Sequence, residues 1–385
     1  MKILFHHRIL SRDGQSVHLD EMVNALRSAG NDVLVVGPRV FAKASFGYDP
    51  KSLNLLKRLV PKTVYEILEL AYNVPAYFRL LRATNAFKPD LLYERYNLNL
   101  VAGVWLKRRK GIKMFLEVNA PLARERASYG GIGLSRLACG LERFIWRGAD
   151  RVLPVSKVLA DEIRHAGVPT ERISVVPNAI NPARFQSELG TAAAKSELGL
   201  NGKTVIGFVG FVRAWHGLDA IIDWLGQEDS PPDLHLVVAG EGPALPSLKT
   251  RARELRVEDR VHFVGLVRRD TVARVISAFD IALVPKCLEY ASPLKLFEYM
   301  ALGKAIVAPD QPNIREVVKA NVSALLFDAQ RPGSLLAAIR RLHDDPELRT
   351  RLGLQAQRLV DSKRLTWNEN AARVTSLAQL RLSAS

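Results

Sequence analysis

The sequence predicts an α/β protein made of two doubly wound, Rossmann-like domains that face each other across a cleft. Three observations predict this fold. The chain of 385 residues is too long for one ordinary domain. Strand-like and helix-like segments alternate along it, as they do in parallel sheets. Several strand-like runs, such as V-I-G-F-V and I-A-L-V, are continuously apolar, as strands covered on both faces must be.

The chain opens with one such βαβ unit. Lys2–His6 is an apolar strand, residues 16–29 repeat apolar residues at helical spacing, and Asp32–Val36 is a second strand. Gly30 is a stop signal for the helix between them. The loop after the first strand lacks G-x-G-x-x-G, so a dinucleotide fingerprint is absent.

Residues 38–62 show no clear period and are predicted to form a long basic loop. A helical pattern follows over residues 63–87, and Pro75 within it predicts a kink or two helices. The pattern combines basic, aromatic and aliphatic residues. Such a segment suits a membrane surface, and it also suits packing on its own domain, which we favour.

The alternation continues to the end of the first domain. Polar residues fill the loop at 119–133, which lies beyond the carboxyl end of a strand, where open α/β sheets bind ligands. The other predicted strands are 90–93, 113–118, 151–154 and 173–176, and the other predicted helices are 98–107, 134–147 and 157–166.

Composition and rhythm place the domain boundaries. The first domain covers 1–178, a connector rich in Pro, Ala and Gly covers 179–202, and the second domain covers 203–365. A C-terminal helix at 366–385 is expected to pack back on the first domain. The predicted strands of the second domain are 205–209, 234–239, 260–264, 281–284 and 305–308, and the predicted helices from there onward are 218–225, 245–255, 271–278, 292–304, 334–343, 347–360 and 367–380.

The net charge of +16 lies mostly in the first half of the chain. Residues 1–185 hold 29 Lys and Arg against 16 Asp and Glu, whereas residues 186–385 hold 26 against 23. A basic half implies an anionic partner. Nucleic acid, an anionic membrane surface and a phosphorylated substrate all fit, and so does a merely soluble basic surface.

The sequence contains no apolar run long enough to span a membrane, and polar residues follow the N-terminus too soon for a signal peptide. Cys139 and Cys287 lie far apart and form no C-x-x-C motif. That fits a reduced compartment without disulfides or a zinc site. We therefore expect a cytoplasmic protein that docks peripherally on the inner face of the plasma membrane.

The stretch S-P-L-K-L-F-E-Y-M-A-L-G-K, residues 292–304, carries the clearest chemistry. It indicates a short helix with Ser292 as its N-cap and Gly303 just past its end. Lys295 in the first turn opposes the helix dipole, which makes sense if an anion such as a diphosphate docks there. Glu298, one turn later, can accept hydrogen bonds from a ribose diol. An ordinary exposed Lys295–Glu298 pair explains the spacing equally well.

Two glycine-rich turns follow strands of the second domain. In G-F-V-R-A-W-H-G, Gly210 lets the backbone approach a ligand, and Arg213 can clamp phosphate oxygens while His216 adds a donor. In G-E-G-P, Gly240 and Glu241 border the same predicted crevice. The alternative for the first turn is a surface arginine beside a packed tryptophan. The second turn, G-E-G-P, is a weak signal by itself, because many strand-to-helix turns have a similar sequence.

These motifs, together with V-V-P-N-A-I, resemble the family 4 glycosyltransferases of the GT-B fold, over nearly the whole chain. The resemblance implies a nucleotide-diphosphate-sugar donor bound by the second domain, an acceptor held mostly by the first, and retention at the anomeric carbon. It implies that Glu298 binds the ribose. It also implies that Arg213 and Lys295 bind the diphosphate together with the backbone at Pro293 and Leu294.

Three positions depart from the pattern of that family. The glutamate that usually touches the sugar falls on Tyr290, so the adjacent Glu289 is expected to serve. His216 takes the place of a lysine, which predicts diphosphate binding that is sensitive to pH near neutrality. Near the fourth strand, E-V-N-A-P replaces the usual histidine, so Glu117 or Asn119 stands in on the acceptor side.

The resemblance also implies roles around the first strand. Gly14 would border the phosphates of the donor from the other side, and His18 would lie on the acceptor side. Taken one at a time, His6, His7 and His18 are each more readily explained as structural residues.

The predicted activity is transfer of a sugar to a glycan or lipid-linked glycan of a cell-surface polysaccharide. The sequence has no D-x-D motif and no metal-spaced His or Cys cluster, so Arg213 and Lys295 are expected to replace Mg²⁺, with no metal and no cofactor. The expected partners are the donor, the acceptor and an anionic membrane surface, without nucleic acid. The alternatives are another GT-B activity, such as a nucleotide-sugar epimerase, and a basic module that binds membrane or nucleic acid without catalysis.

Overall fold

Two parallel sheets divide the protein into two units. The structure, a computed structural model, describes residues 1–10, 14–38, 60–129, 131–186 and 190–380. Unit 1 comprises Met1–Pro177, Tyr290–Ser292 and Trp367–Ser385, and unit 2 comprises Asn178–Glu289 and Pro293–Thr366.

The sheet of unit 1 has five strands in the order β2-β1-β3-β4-β5. β1 pairs in parallel with both β2 and β3, so that Ile3 lies between Val33 and Leu91. The winding reverses between β1 and β3, and such switch points are where open α/β sheets bind ligands. The strands are β1 (Lys2–His6), β2 (Asp32–Val36), β3 (Leu91–Arg95), β4 (Lys113–Val118) and β5 (Arg151–Pro154).

Helices cover the sheet of unit 1, and its last helix returns to its first. The ring of Trp367 meets the His18 ring edge-on at 4.9 Å, and Asn31 Nδ2 donates to Thr375 Oγ1 at 3.2 Å. These contacts fix α16 on α1. The helices are α1 (Gly14–Ser28), α2 (Lys62–Ala71), α3 (Asn73–Phe87), α4 (Ala102–Lys110), α5 (Leu122–Tyr129), α6 (Ser135–Gly148), α7 (Lys157–His165) and α16 (Trp367–Gln379).

The sheet of unit 2 has six strands in the order β11-β10-β9-β6-β7-β8. Ile206 of β6 lies between Leu236 of β7 and Ile281 of β9, so the winding reverses between β6 and β9. These parallel sheets confirm the prediction of two Rossmann-like domains. The strands are β6 (Thr204–Val209), β7 (Leu234–Ala239), β8 (Val261–Gly265), β9 (Ile281–Leu283), β10 (Ala305–Pro309) and β11 (Leu325–Phe327).

The core of unit 2 forms because the central strands are apolar on both faces. Ile206, Phe208 and Leu236 are fully buried, and a side chain at Gly207 would collide with the Phe279 ring, which packs directly on the strand. The helices are α8 (Thr191–Glu197), α9 (Leu218–Leu225), α10 (Leu245–Glu254), α11 (Val272–Ser277), α12 (Leu294–Ala301), α13 (Pro312–Val317), α14 (Ser334–Asp344) and α15 (Pro346–Ser362).

Several predicted elements need correction. The predicted loop at 119–133 contains α5, and the predicted strand at 173–176 is reduced to a single bridge between Val152 and Ile173. The predicted break at Pro75 falls instead at Tyr72, between α2 and α3. Pro75 then lies in the first turn of α3, where its missing N–H matters little.

Most of the predicted basic loop at 38–62 lies at 39–59, outside the described residues. Within the described part of the chain, no helix is both long and apolar enough to cross a bilayer.

Candidate functional site

The start of α12 lies beyond the carboxyl end of β9, next to the switch point of unit 2. Pro293, not the predicted Ser292, is the N-cap, with φ −73° and ψ 119°, and no side chain of the described residues caps the helix. Leu294 is the first helical residue. The first backbone N–H groups of a helix have no partners within it, so they are donors for an anion.

Lys295 places its ammonium beside the turn that follows β6. Its Nζ lies 3.8 Å from the centroid of the Phe208 ring, and a Cβ built on Gly210 would lie 3.3 Å from that nitrogen. Burial lowers the pKa of Lys295 to about 8, although Cys287 and Glu298 oppose the change. The cation therefore sits partly desolvated between a helix start and a glycine turn.

The two glycine-rich turns pack side by side through their backbones. Gly210 N–H donates to the Ala239 carbonyl at 2.9 Å, and Val212 N–H donates to the Glu241 carbonyl at 2.8 Å. Gly240 has φ +142°, and a Cβ there would lie 1.9 Å from the Gly210 carbonyl oxygen. Only glycine fits at position 240, because the next turn occupies the space of its side chain.

His216 is buried under this turn and is a neutral residue. Its Nδ1 accepts a hydrogen bond from Arg213 N–H at 3.1 Å, and its ring packs 4.8 Å from the Phe208 ring. Burial, then the charges of Lys295 and Arg213, lower the pKa of His216 to about 3. The prediction that His216 titrates near neutrality is therefore wrong, because the site around it is desolvated and already cationic.

Arg213 is an exposed residue at the end of the same turn. Its guanidinium lies 5.1 Å from the centroid of the Phe211 ring. Arg213 and Lys295 both lower the pKa of His216, after the larger effect of burial. That the two cations bind one anion stays a prediction.

Glu298 lies one turn after Lys295 on α12. Burial raises the pKa of Glu298 to about 7, while Lys295 and Arg269 act in the opposite direction. Sequence reasoning missed Arg269, because nothing in the local pattern of its loop points to a residue on another element. With a pKa of about 7, the Glu298 carboxyl is partly ionised near neutral pH, and in the ionised form it can accept hydrogen bonds from hydroxyl groups.

Two predicted acidic residues are exposed. Glu241 lies in the second glycine turn, and Glu289 lies in the loop after β9. Asn313 Nδ2 donates to the Leu288 carbonyl at 3.0 Å and holds that loop. Among the described residues, no hydrogen bond or ion pair of Glu289 occurs. The expected contact of Glu289 with the sugar stays a prediction.

In unit 1, the predicted acceptor-side residues meet in one buried cluster. Glu117 accepts hydrogen bonds from Asn119 Nδ2 at 2.6 Å, Arg95 Nη1 at 2.5 Å and the Tyr93 hydroxyl at 2.9 Å. Burial opposes ionisation of Glu117, but the Arg95 charge and the hydrogen bonds from Asn119 and Tyr93 outweigh it and lower the pKa of Glu117. Sequence reasoning missed Arg95 and Tyr93, although Y-E-R-Y at a strand end was a usable signal.

His18 joins the cluster from α1. Its Nδ1 lies 2.9 Å from Arg95 Nη1 and 3.3 Å from Glu117 Oε1. A guanidinium only donates, so Nδ1 accepts and Nε2 carries the proton. Burial lowers the pKa of His18 to about 4. The negative charge of Glu117 acts to raise this pKa, and the positive charge of Arg95 acts to lower it further. Gly14 begins the same helix and is exposed.

A second buried pair flanks this cluster in unit 1. His6 Nδ1 lies 2.5 Å from Glu94 Oε2, and both side chains are almost fully buried. Among the described residues, no group of three or more His, Cys, Asp or Glu side chains is arranged to hold a metal ion.

Two family descriptions match adjoining parts of the chain. "Glycosyltransferase Family 4" matches residues 12–184, and "Glycosyl transferases group 1" matches residues 191–359. The chain belongs to the family 4, group 1 glycosyltransferases. The predicted resemblance is thereby confirmed.

Relatives of this glycosyltransferase match at modest identity. The D-inositol 3-phosphate glycosyltransferase of Thermomonospora curvata is 27% identical over 94% of this chain and 89% of its own. The glycogen synthase of Mycobacterium tuberculosis is 24% identical over 96% and 91%. The alpha-D-kanosaminyltransferase of Streptomyces kanamyceticus is 27% identical, but that match spans 58% of either chain.

Solved structures resemble this glycosyltransferase over almost all of its length. HepE of Anabaena, in complex with UDP, has a TM-score of 0.78 at 18% identity and covers 99% of this chain and 100% of its own. WaaG, a glycosyltransferase involved in lipopolysaccharide biosynthesis, has a TM-score of 0.71 at 15% identity and covers 98% and 100%. These likenesses confirm the predicted GT-B fold.

Proposed function

We propose that this glycosyltransferase transfers a sugar, with retention at the anomeric carbon, from a nucleotide-diphosphate donor whose diphosphate binds at the start of α12. The observation that carries the proposal is the Lys295 ammonium, partly buried in the first turn of a helix and beside the Gly210 turn. Desolvation and the helix dipole both disfavour a cation there. A bound diphosphate offsets both costs, because it pairs with the cation and accepts from the free backbone N–H groups.

The remaining donor contacts follow from the same turns. Arg213, which is exposed, binds the outer phosphate oxygens, and His216 offers its Nε2–H as a neutral donor since its Nδ1 is occupied. The backbone at Pro293 and Leu294 meets the diphosphate, and ionised Glu298 accepts from the ribose hydroxyls. Gly210 and Gly240 leave the space that the phosphates need, with Glu241 at the rim.

The chemical role of the cations follows from where charge develops. As the bond between the anomeric carbon and the phosphate oxygen breaks, the sugar becomes oxocarbenium-like and the leaving diphosphate gains negative charge. Lys295 and Arg213 stabilise that charge more than they stabilise the bound donor, which lowers the barrier. Glu289 would touch the sugar if its exposed loop closes over the donor.

A metal ion is not required by this account. The contacts that we propose for the diphosphate are the Lys295 and Arg213 cations and backbone N–H groups, which can take the place of a metal ion. We therefore propose transfer without metal or cofactor.

We assign the acceptor to unit 1. The buried cluster of His18, Glu117 and Asn119 supports this assignment, because Glu117 holds a network that orients the polar groups around it. Gly14, at the start of α1, would border the phosphates. The acceptor we propose is a glycan or lipid-linked glycan of a cell-surface polysaccharide, built at the cytoplasmic face of the membrane. The charge of the first half supports an anionic surface as partner.

A screen of nucleotides tests the proposal. Thermal unfolding of the full chain is followed with the common nucleoside diphosphates, and with the matching nucleosides as controls. A ligand that binds only the folded state raises Tm by mass action. One diphosphate should raise Tm while its nucleoside does not. If Tm rises equally with the diphosphate and with its nucleoside, or rises with neither, the proposed diphosphate site is contradicted.

A further inference from the structure

Helix α2 turns its polar face inward and its apolar face outward. Glu66 and Glu69 are 3% and 8% exposed, whereas Val64, Ile67 and Leu68 are 43%, 55% and 47% exposed. A surface helix of a globular protein normally shows the opposite pattern. In α2 the usual arrangement of a buried apolar face and an exposed polar face is therefore inverted.

The orientation is fixed by the buried carboxylates. Glu66 accepts the backbone N–H groups of Gly133 and Leu134 at 2.8 and 2.7 Å, and Glu69 pairs with Arg126 through two hydrogen bonds of 2.6 and 2.9 Å. Rolling the helix to hide its apolar face would break all four bonds and strand Arg126. The contacts of the polar side thus hold the apolar side outward.

The outward apolar residues form one continuous stripe. Tyr72 joins α2 to α3 in helical geometry, with Tyr72 N–H bonded to the Leu68 carbonyl and Ala76 N–H bonded to the Tyr72 carbonyl. Helical spacing therefore carries on from α2 into α3. We call the exposed residues Val64, Ile67, Leu68, Val74 and Phe78 the apolar stripe.

An exposed tryptophan borders the stripe. The Tyr77 ring lies 5.6 Å from the Phe78 ring and 6.4 Å from the Trp105 ring of α4, and Trp105 is 42% exposed. Tryptophan with one side exposed is typical of groups that settle at a bilayer interface.

The charges around the stripe are positive. In α2, α3 and α4 the only acidic residues are the buried Glu66 and Glu69. The same helices carry Lys62, Arg79, Arg82, Lys107, Arg108, Arg109 and Lys110. Of these, Lys107 pairs with Asp150 at 2.7 Å and Arg79 donates to the Gly37 carbonyl, so the other five are the cations that we assign to lipid phosphates. Two copies of the chain meeting through this face would bring like charges together, whereas an anionic lipid surface offers both an apolar interior and opposite charge.

We propose that the apolar stripe and Trp105, framed by the cations of α2, α3 and α4, form a docking surface for an anionic lipid bilayer. The aliphatic and aromatic side chains enter the headgroup region, and the cations bind lipid phosphates. The surface belongs to unit 1 and is independent of the diphosphate site in unit 2.

Cosedimentation of the full chain with vesicles tests the proposal. Wild-type protein should pellet with vesicles of phosphatidylcholine and phosphatidylglycerol, less so as salt rises, and hardly with phosphatidylcholine alone. The double variant Ile67→Gln/Phe78→Gln should lose about tenfold in partitioning, since each substitution removes buried apolar area. Leu354→Gln is the control, because Leu354 is 50% exposed on α15 in unit 2. It should bind like wild type.

Three results would overturn the proposal. Equal pelleting of the double variant and the control would show that the stripe is not the contact. A dimer in solution that Phe78→Gln dissociates would assign the stripe to a second copy. A drop in Tm for Ile67→Gln as large as for a core substitution would show that the stripe packs against the chain itself. Nucleoside diphosphate binding in solution should be unchanged in every variant, so this proposal and the proposed donor site fail separately.

Discussion

The Nζ of Lys295 lies 3.8 Å from the centroid of the Phe208 ring. Phe208 is the penultimate residue of β6, and Lys295 lies in the first turn of α12, which follows β9. β6 and β9 are neighbours only because the winding of the sheet reverses between them. The topology of unit 2 therefore brings a cation to a glycine turn more than eighty residues earlier in the chain, and the aromatic face compensates part of its lost hydration.

Gly240→Ala should damage the paired glycine turns. A Cβ there would lie 1.9 Å from the Gly210 carbonyl oxygen, so the two turns must separate. We expect a loss of about 2 kcal/mol in the free energy of unfolding, with weaker diphosphate binding. Gly265→Ala is the control, because Gly265 also has positive φ but a Cβ added there would meet nothing within 4 Å. The free energies of unfolding of both variants are measured in urea. Equal losses for Gly240→Ala and Gly265→Ala would show that the close contact between the two turns does not matter for stability.

Arg213→Ala should reduce kcat/KM roughly 100-fold, the usual effect of removing one donor that stabilises a developing anion. Arg213 is exposed, so the fold and Tm should not change. Steady-state rates of Arg213→Ala are compared with those of the control variant Arg253→Ala, because Arg253 is an exposed arginine of α10. A rate close to wild type would remove Arg213 from the site.

The sequence predicted the strands better than the segments between them. β1, β2, β4, β5 and β7 were predicted with their observed bounds, because continuous apolar runs between polar stops allow one interpretation. α5 was missed because its residues, L-A-R-E-R-A-S-Y, are polar and are followed by glycines. β11 and α13 were missed because three and six residues are too few to show a period.

The candidate site divides in the same way. Lys295 and Gly210 belong to local motifs, so their chemistry was visible in the sequence. The partners of Glu117 were only partly visible: Arg95 lies 22 residues before it, and His18 is 77 residues before Arg95. Pairing across β1, β3 and β4 brings them together, and no local pattern predicts such a contact. Burial also lowers the pKa of His216 to about 3, far below neutrality, and no sequence pattern reports such a change.

Glu117→Ala should destabilise unit 1. It leaves the Arg95 guanidinium buried without its carboxylate partner, which typically costs about 3 kcal/mol or more. Glu171→Ala, at an exposed glutamate of the same unit, should cost little. The combined variant Arg95→Met/Glu117→Gln should recover part of the loss, since the unpaired cation is gone. Urea unfolding that shows Glu117→Ala no worse than Glu171→Ala would contradict a paired cluster.

Turnover should survive chelation. Because the proposed contacts to the diphosphate are cations and N–H groups, initial rates in excess EDTA should match those in Mg²⁺. The assay needs a donor identified by the nucleotide screen. Loss of activity in EDTA that Mg²⁺ restores would show that a metal ion carries the charge instead.

Titration calorimetry of nucleoside diphosphate binding from pH 7 to 9.5 tests whether protonated Lys295 binds the diphosphate. Lys295 has a pKa of about 8, so above that pH the free protein loses the proton that binding requires. Because only the protonated form binds, the affinity of the wild type should fall about 30-fold from pH 7 to pH 9.5. Lys295→Gln should bind weakly at every pH and show no such fall. Equal affinities for the two proteins at pH 7, or a wild-type affinity that does not change with pH, would contradict the claim.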